Sequence, residues 1–348
     1  MSPATEQAIR EALTGFQDPY LEADLVSTKS VKSIECSNDK SRLEIVLGFP
    51  AAGYAVELEE QLHDLLSQVP GVVNLEVDVS YKVASHSVQS NVELLKNVKN
   101  IIAVASGKGG VGKSTVAVNL ALALQAEGAT VGMLDADIYG PNIPGMLGLD
   151  GRPEIAGDGG QIQPLASHGL KAISMGLLLD AGTPVIWRGP MLAKMIHQFL
   201  FNVAWGELDL LLLDLPPGTG DVQITLTQTA PLTGALIVTT PSAIAMADVR
   251  RGVEMFRQTE VPIIGLVENM SSFTCDKCGH DEAIFGTGGG EQTARQLDIP
   301  FLGKVPLDPL ARSQADTGTP VVQAHPEAAS SQALAQLAGA IGTHYLTA

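Results

Sequence analysis

Hydrophobic positions change their period along this chain, and each change marks an element. In residues 3–16, Ile9, Leu13 and Phe16 recur at spacings of four and three, which predicts a helix. Leu43, Ile45, Leu47 and Phe49 then alternate with polar neighbours such as Arg42 and Glu44, the period of a half-buried strand. From Tyr54 to Val69 the spacing is helical again, through Val56, Leu58, Leu62, Leu65 and Leu66. Pro70-Gly71 stops that helix, and residues 73–79 alternate as a strand. These elements predict a small α/β domain over residues 1–83. Residues 84–100 are polar without Gly or Pro, and 84–97 read as a linker, part of it helical.

From residue 98 to 348 the pattern is different. Residues 101–105, 130–135, 208–213, 235–239, 263–267 and 301–305 are apolar runs with little alternation, as expected of strands covered on both faces. Helical stretches lie between several of them, including 114–126, which ends before Gly128, and the amphipathic 243–258. Strands alternating with helices predict an α/β fold with a mostly parallel, doubly wound sheet.

Between the first run and the helix after it stands Gly107-Lys108-Gly109-Gly110-Val111-Gly112-Lys113-Ser114, a full match to G-x-x-x-x-G-K-[ST] in the setting that motif requires. Glycines let backbone N–H groups close on phosphate oxygens, and the helix N-terminus adds partial positive charge. Lys113 is placed to neutralise those oxygens and Ser114 to ligate Mg²⁺; Thr115 follows inside the helix. Lys108 is not needed to cradle one nucleotide from within. It is either a solvated loop lysine or a group that reaches the nucleotide of a second subunit, as an arginine finger does. The second role needs a homodimer closing across two nucleotides.

Carboxylates end two of the apolar runs, where doubly wound folds bind ligands. Asp214 is the candidate Mg²⁺ ligand, directly or through water, and Asp137 the candidate to orient an attacking water. Gly218 is placed to report a γ-phosphate through its N–H. Asp135 and Asp221 fit that site and also ordinary strand-end and helix-cap roles.

The chain has three cysteines, Cys36, Cys275 and Cys278, too few for a disulfide framework. Cys36 reads as a buried thiol. Cys275-x-x-Cys278, followed by His280, admits a redox dithiol, two inert thiols, zinc or an iron–sulfur cluster. Zinc and a [4Fe–4S] cluster each take four ligands, and one chain offers two thiolates plus His280. Two such loops meeting on a two-fold axis supply four sulfurs, so this pair asks for the same dimer as Lys108. Residue chemistry alone leaves zinc and a cluster both open.

The net charge is −17, from 21 Lys plus Arg against 38 Asp plus Glu. Acids outnumber bases in residues 1–90 and in 91–348 alike, so neither nucleic acid nor an anionic membrane surface is an expected partner. No basic segment followed by an apolar stretch opens the sequence. The longest apolar run, near 208–215, contains Asp209 and Asp214 and falls far short of the roughly 20 residues of a membrane span. A cytoplasmic location is the expectation.

Together these motifs resemble the Mrp/ApbC family of P-loop ATPases, iron–sulfur cluster carriers related to MinD and the nitrogenase iron protein. The resemblance covers residues 98–325. It rests on Gly107 to Thr115, Leu134-Asp-Ala-Asp-Ile-Tyr-Gly-Pro141, Ile186-Trp-Arg-Gly-Pro190, Asp214-Leu-Pro-Pro-Gly-Thr-Gly-Asp221, Glu268-Asn-Met270, Cys275-x-x-Cys278, Gly288-Gly-Gly290 and Val305-Pro-Leu-Asp308. It implies a P-loop NTPase sheet that binds ATP through Gly107, Lys108, Gly109, Gly110, Val111, Gly112, Lys113, Ser114 and Thr115. Lys108 would be the signature lysine, and Asp137 and Asp214 would serve two switches, these three acting with Lys113 in catalysis. Asn269 would sit by the adenine, with Pro306 and Asp308 lining the base pocket. Cys275 and Cys278 would bridge a labile [4Fe–4S] cluster between subunits, filled by cluster donors and passed to apo-proteins.

Residues 1–83 resemble the small α/β domain of iron–sulfur assembly proteins. Gln17-Asp18-Pro19-Tyr20 is similar to that domain's Asp-Pro-Glu motif, with Tyr20 as a departure. Phe49-Pro50-Ala51-Ala52 lacks the cysteine often found before that proline, so a docking role is expected rather than a thiol role. The function implied is slow, ATP-switched cluster transfer. The competing functions are a MinD/ParA-like positioning ATPase, which needs a basic tail or surface, and an electron donor like the nitrogenase iron protein.

Overall fold

The computed structural model describes residues 3–21, 23–37, 39–86, 88, 92–156, 160–178, 189–275 and 277–344. The chain divides into two compact units, one of Met1–Ala84, Ala126–Ala129 and Gly339–Ala348 and the other of Ser85–Gln125 and Thr130–Ala338. The expected motif residues Ile186, Trp187 and Arg188 lie outside the described residues.

In the first unit, helix α1 (Pro3–Gly15) precedes β1 (Val31–Cys36), β2 (Ser41–Leu47), α2 (Ala52–Leu66) and β3 (Leu75–Tyr81). The sheet order is β1-β2-β3, with β1 antiparallel and β3 parallel to β2. Leu43, Ile45 and Leu47 of β2 and Leu58, Leu62 and Leu66 of α2 are fully buried, each such side chain contributing about 2 kcal/mol over its exposed state. Strand β1 escapes the alternation rule because only Ile34 and Cys36 of its six residues reach the core. Cys36 is a buried free thiol. Buried Asp18 accepts hydrogen bonds from Tyr20 N (2.9 Å), Leu21 N (2.8 Å) and Tyr54 Oη (2.6 Å). Tyr20, the departure from the expected Glu, packs its ring 4.3 Å from that of Tyr54.

The second unit is built on β4 (Val98–Ala105), α3 (Lys113–Ala126), β5 (Val131–Asp135), β6 (Leu165–Ser167), β7 (Leu170–Ser174), α4 (Gly189–Phe201), β8 (Leu208–Asp214), α5 (Asp221–Thr229), β9 (Gly234–Thr239), α6 (Ala243–Gln258), β10 (Ile263–Asn269), β11 (Phe273–Thr274), β12 (Asp281–Glu282), α7 (Gly289–Leu297), β13 (Phe301–Val305) and α8 (Pro309–Thr317). Eight strands form one sheet in the order β6-β7-β5-β8-β4-β9-β10-β13, parallel except at the β6–β7 hairpin. Ile101, Leu134, Leu211, Leu213, Ile237 and Leu266 fill its core with Phe199 and Phe256. All but one residue of β4 is buried, the mark of a strand covered on both faces. The expected doubly wound α/β sheet is present.

Two features depart from the sequence reading. Val98, Lys99 and Asn100 begin β4 instead of extending the polar stretch before it. Asn100 is fully buried, its Oδ1 accepting from His86 N at 3.1 Å, so a polar residue sits inside without an apolar signal. Among the described residues of 84–97 there is no helix. Strand order runs outward in both directions from β4, with β8 and β5 on one side and β9 and β10 on the other. The C-terminal ends of such strands border the crevice where doubly wound folds hold ligands.

Candidate nucleotide site and cysteine hairpin

Strand β4 ends at Ala105, and the glycine loop carries the chain into α3 at Lys113. Gly110 and Gly112 both adopt φ +78, a left-handed conformation that only glycine takes without strain. At the first turn of α3, Lys113 Nζ lies 2.6 Å from Asp214 Oδ1, and Ser114 Oγ donates to Asp214 Oδ2 at 2.6 Å. Lys113 and Asp214 are 6% and 1% exposed, so this is a desolvated ion pair. Strand register sets it up: Asp214 at the end of β8 pairs with Val104 of β4 on one side and with Asp135 of β5 on the other.

Three acids therefore share this buried edge. Burial pushes Asp135 up to about 7, the negative charge of Asp214 adding to the effect. Its oxygens accept from Ser174 Oγ (2.9 Å), Asp137 N (3.1 Å) and Ile143 N (3.3 Å). Burial also lifts Asp137 and Asp214 above the usual carboxylate range; at Asp214 it outweighs the opposing pull of Lys113 and Ser114. Asp137 accepts from Gly140 N at 3.3 Å.

The loop after β8 closes on the phosphate loop. Gly218 N, expected to face a γ-phosphate, donates to Ser106 O at 2.9 Å. Gln223 Nε2 donates to Pro216 O, anchoring that loop from α5. Asp221 is exposed in the first turn of α5, apart from the acidic cluster, where it favours the positive end of the helix. Lys108 is half-buried and has no hydrogen-bond or ion-pair partner for its side chain among the described residues.

Asn269, at the end of β10, donates from Nδ2 to Val111 O at 2.8 Å. It borders a cavity of about 340 Å³ lined also by Thr115, Met146, Pro306, Leu307 and Arg312. Asp308 also lines this cavity but is committed as a helix cap, accepting from Leu310 N (2.8 Å) and Ser330 Oγ (2.5 Å).

Beyond Asn269 the chain forms the short hairpin β11–β12, and Cys275 and Cys278 lie at its turn, half-buried and exposed respectively. Cys275 N donates to His280 O at 2.9 Å and Gly279 N to Cys275 O at 2.8 Å. The pair stands between the two strands of a hairpin and not at the helix start a redox dithiol prefers. Among the described residues no group of three or more His, Cys, Asp and Glu side chains is gathered to hold a metal ion. None of the described helices is long and apolar enough to cross a membrane.

The sequence does not single out Ser174, Gln223 or Ser106, and gives Glu268 no role. The side chains of Ser174, Gln223 and Glu268 have partners on other elements, and Ser106 meets the loop after β8 through its carbonyl oxygen, so no local pattern announces them.

A phosphate loop on the middle strand of a parallel sheet, with its lysine and serine joined to an acid of the neighbouring strand, makes this chain a P-loop NTPase. It belongs to the NUBPL iron-transfer P-loop NTPase family, which matches residues 97–342. Residues 6–79 match a second family, described as iron-sulfur cluster assembly protein. The chain is 45% identical to the iron-sulfur cluster carrier protein of Haemophilus influenzae over 338 residues, 97% of this chain and 91% of that protein. It is 44% identical to that of Escherichia coli over 335 residues, 96% and 91% of the two chains. A nucleotide-binding protein of Archaeoglobus fulgidus solved in complex with ADP is 41% identical, with a TM-score of 0.58 over 64% of this chain and 88% of that one. The cell division ATPase MinD of Pyrococcus furiosus, 23% identical, shares the fold at a TM-score of 0.54, over 70% of this chain and 98% of that one.

Proposed function

We propose that this chain is an ATP-hydrolysing iron–sulfur cluster carrier that works as a homodimer in a reducing, cytoplasmic setting. The observation that carries the reading is one of connectivity. The strand whose last residue, Asn269, touches the phosphate loop leads directly into the hairpin bearing Cys275 and Cys278. Soft thiolates suit iron–sulfur cargo, and two hairpins, one from each protomer, supply the four that a [4Fe–4S] cluster takes.

In this reading the backbone of Gly107 to Ser114 cradles the phosphates of ATP, and Lys113 neutralises the oxygens on which charge builds. Ser114 and Asp214 present hard oxygens that fit Mg²⁺, which when bound offsets charge on the phosphates. Asp137, lifted by burial, orients the attacking water and is suited to accept its proton. Water adds to the γ-phosphorus, the bond to the β–γ bridging oxygen breaks, and ADP and phosphate leave. Lys108 acts across the dimer on the partner's nucleotide, and Gly218 exchanges Ser106 O for the γ-phosphate. Asn269, Pro306 and Asp308 border the base. Hydrolysis switches the dimer between holding the cluster and releasing it to apo-proteins.

Anaerobic reconstitution with iron and sulfide tests this, comparing the native chain with Cys275→Ala plus Cys278→Ala. The native chain should take up a cluster with visible absorbance and activate an apo-acceptor, and the double variant should do neither. Equal absorbance and equal transfer would sink the proposal.

A further inference from the structure

Strand β10 ends in two consecutive buried polar residues that bond in different directions. Asn269 holds the phosphate loop. Glu268, fully buried, accepts a hydrogen bond through Oε2 from Gly290 N at 2.6 Å. Gly290 lies at the start of α7, where the chain returns from the cysteine hairpin. The segment from Met270 to Gly289, which carries both cysteines, is therefore an excursion whose two ends are tied together at its base by Glu268.

The junction is built for close approach. A Cβ on Gly290 would fall 2.9 Å from Glu268 Oε2 and 3.1 Å from its Cβ, and a Cβ on Gly289 would fall 2.5 Å from Pro241 O. Its chemistry is costly for a mere staple. Glu268 Oε1 is buried without a hydrogen-bond partner, and an acid satisfied on one oxygen costs stability that an apolar side chain of similar length would not. Costs of this kind concentrate where a fold serves a purpose other than its own stability.

We propose that Glu268 is a positioning residue that couples the nucleotide loop to the cysteine hairpin. A shift of the phosphate loop moves the end of β10 through Asn269, and Glu268 passes that shift to the root of the excursion at Gly290. Glu268 touches neither nucleotide nor cysteine. This inference rests on the carrier reading for its purpose, but its test needs no cluster.

The test is the rate at which Cys278 of the cluster-free full chain is alkylated by iodoacetamide, followed by peptide mass mapping. Rates are taken with and without a non-hydrolysable ATP analogue and Mg²⁺. In the native chain the nucleotide should change the rate by about five-fold or more. In Glu268→Met, which keeps length and removes the acceptor, the ratio should fall close to one with nucleotide affinity unchanged. Glu268→Gln, which keeps an acceptor for Gly290 N, should restore most of the ratio, an outcome that loss of packing alone would not produce. Gly290→Ala, which forces the same contact apart, should repeat the effect of Glu268→Met if that variant does not fold. An undiminished ratio in a folded Glu268→Met or Gly290→Ala variant, or no nucleotide effect in the native chain, would overturn the proposal. Cluster reconstitution would still decide the carrier reading separately.

Discussion

Asp214 gathers the chemistry of the site at the scale of single residues, because both polar side chains of the phosphate loop's end bond to it. Its pair with Lys113 is desolvated, so removing one partner leaves a buried, unbalanced group. Lys113→Ala should abolish measurable nucleotide binding and lower stability by about 3 kcal/mol, read by fluorescent-nucleotide titration and by urea unfolding. Retained binding would remove Lys113 from the phosphate site. Asp135 gives a pH prediction. Its folded value of about 7 lies above its ordinary 3.8, so the folded chain holds that proton more tightly than the unfolded one. The stability this contributes is complete below pH of about 4 and is lost as pH rises through about 7. Asp135→Asn does not titrate, so its stability relative to the native chain should rise across that window. Urea melts in metal-free buffer from about pH 5 to pH 8 read this difference; a constant difference would show that Asp135 does not titrate there.

Elements were legible where their cause is local and hidden where it is not. The glycine loop announces itself because spacing alone fixes its backbone and its chemistry. The strands β4, β5, β8, β9 and β10 announce themselves as apolar runs covered on both faces; β13, read in the same way, stands at the edge of the sheet with only Val305 buried. Strand β7 does not, since Leu170–Ser174 is five residues with Lys171 among them, and its place beside β5 comes from pairing across the sheet. Site residues divide in the same way. Lys113 and Ser114 follow from the motif, while the Ser174–Asp135 and Gln223–Pro216 bonds exist only after the chain has folded. The loop's fit against β10 is likewise tertiary, and it gives a test at this scale. A Cβ on Gly112 would lie 2.3 Å from Asn269 Nδ2, at φ +78, whereas one on Gly109 would meet only Pro217 Cγ at 3.9 Å. Gly112→Ala should therefore cost about 1–3 kcal/mol through strain and the broken Asn269 bond. Gly109→Ala should cost a small fraction of that, and equal losses in thermal or urea unfolding would contradict the packing described.

For the whole molecule, a site completed by one chain and a site completed by two give different outcomes. Lys108 stands in the phosphate loop with no partner for its ammonium group among the described residues, while Lys113 is paired with Asp214. If Lys108 serves the nucleotide of a second copy, Lys108→Ala should bind ATP as the native chain does and lose about a hundred-fold or more in kcat, since a charge supplied in trans to phosphoryl transfer is worth at least that much. Such a loss alone would not distinguish action within one chain from action across two. Mixing variants does. Lys113→Ala cannot hold nucleotide but still offers Lys108, and Lys108→Ala holds nucleotide but lacks the lysine. In a mixed dimer the nucleotide of the Lys108→Ala protomer faces an intact Lys108, so one of its two sites is complete. With random pairing at equal concentrations, half the dimers are mixed, and about a quarter of native activity should return from two inactive preparations. A lysine acting within its own chain predicts no recovery at any ratio, because no protomer in the mixture carries both lysines.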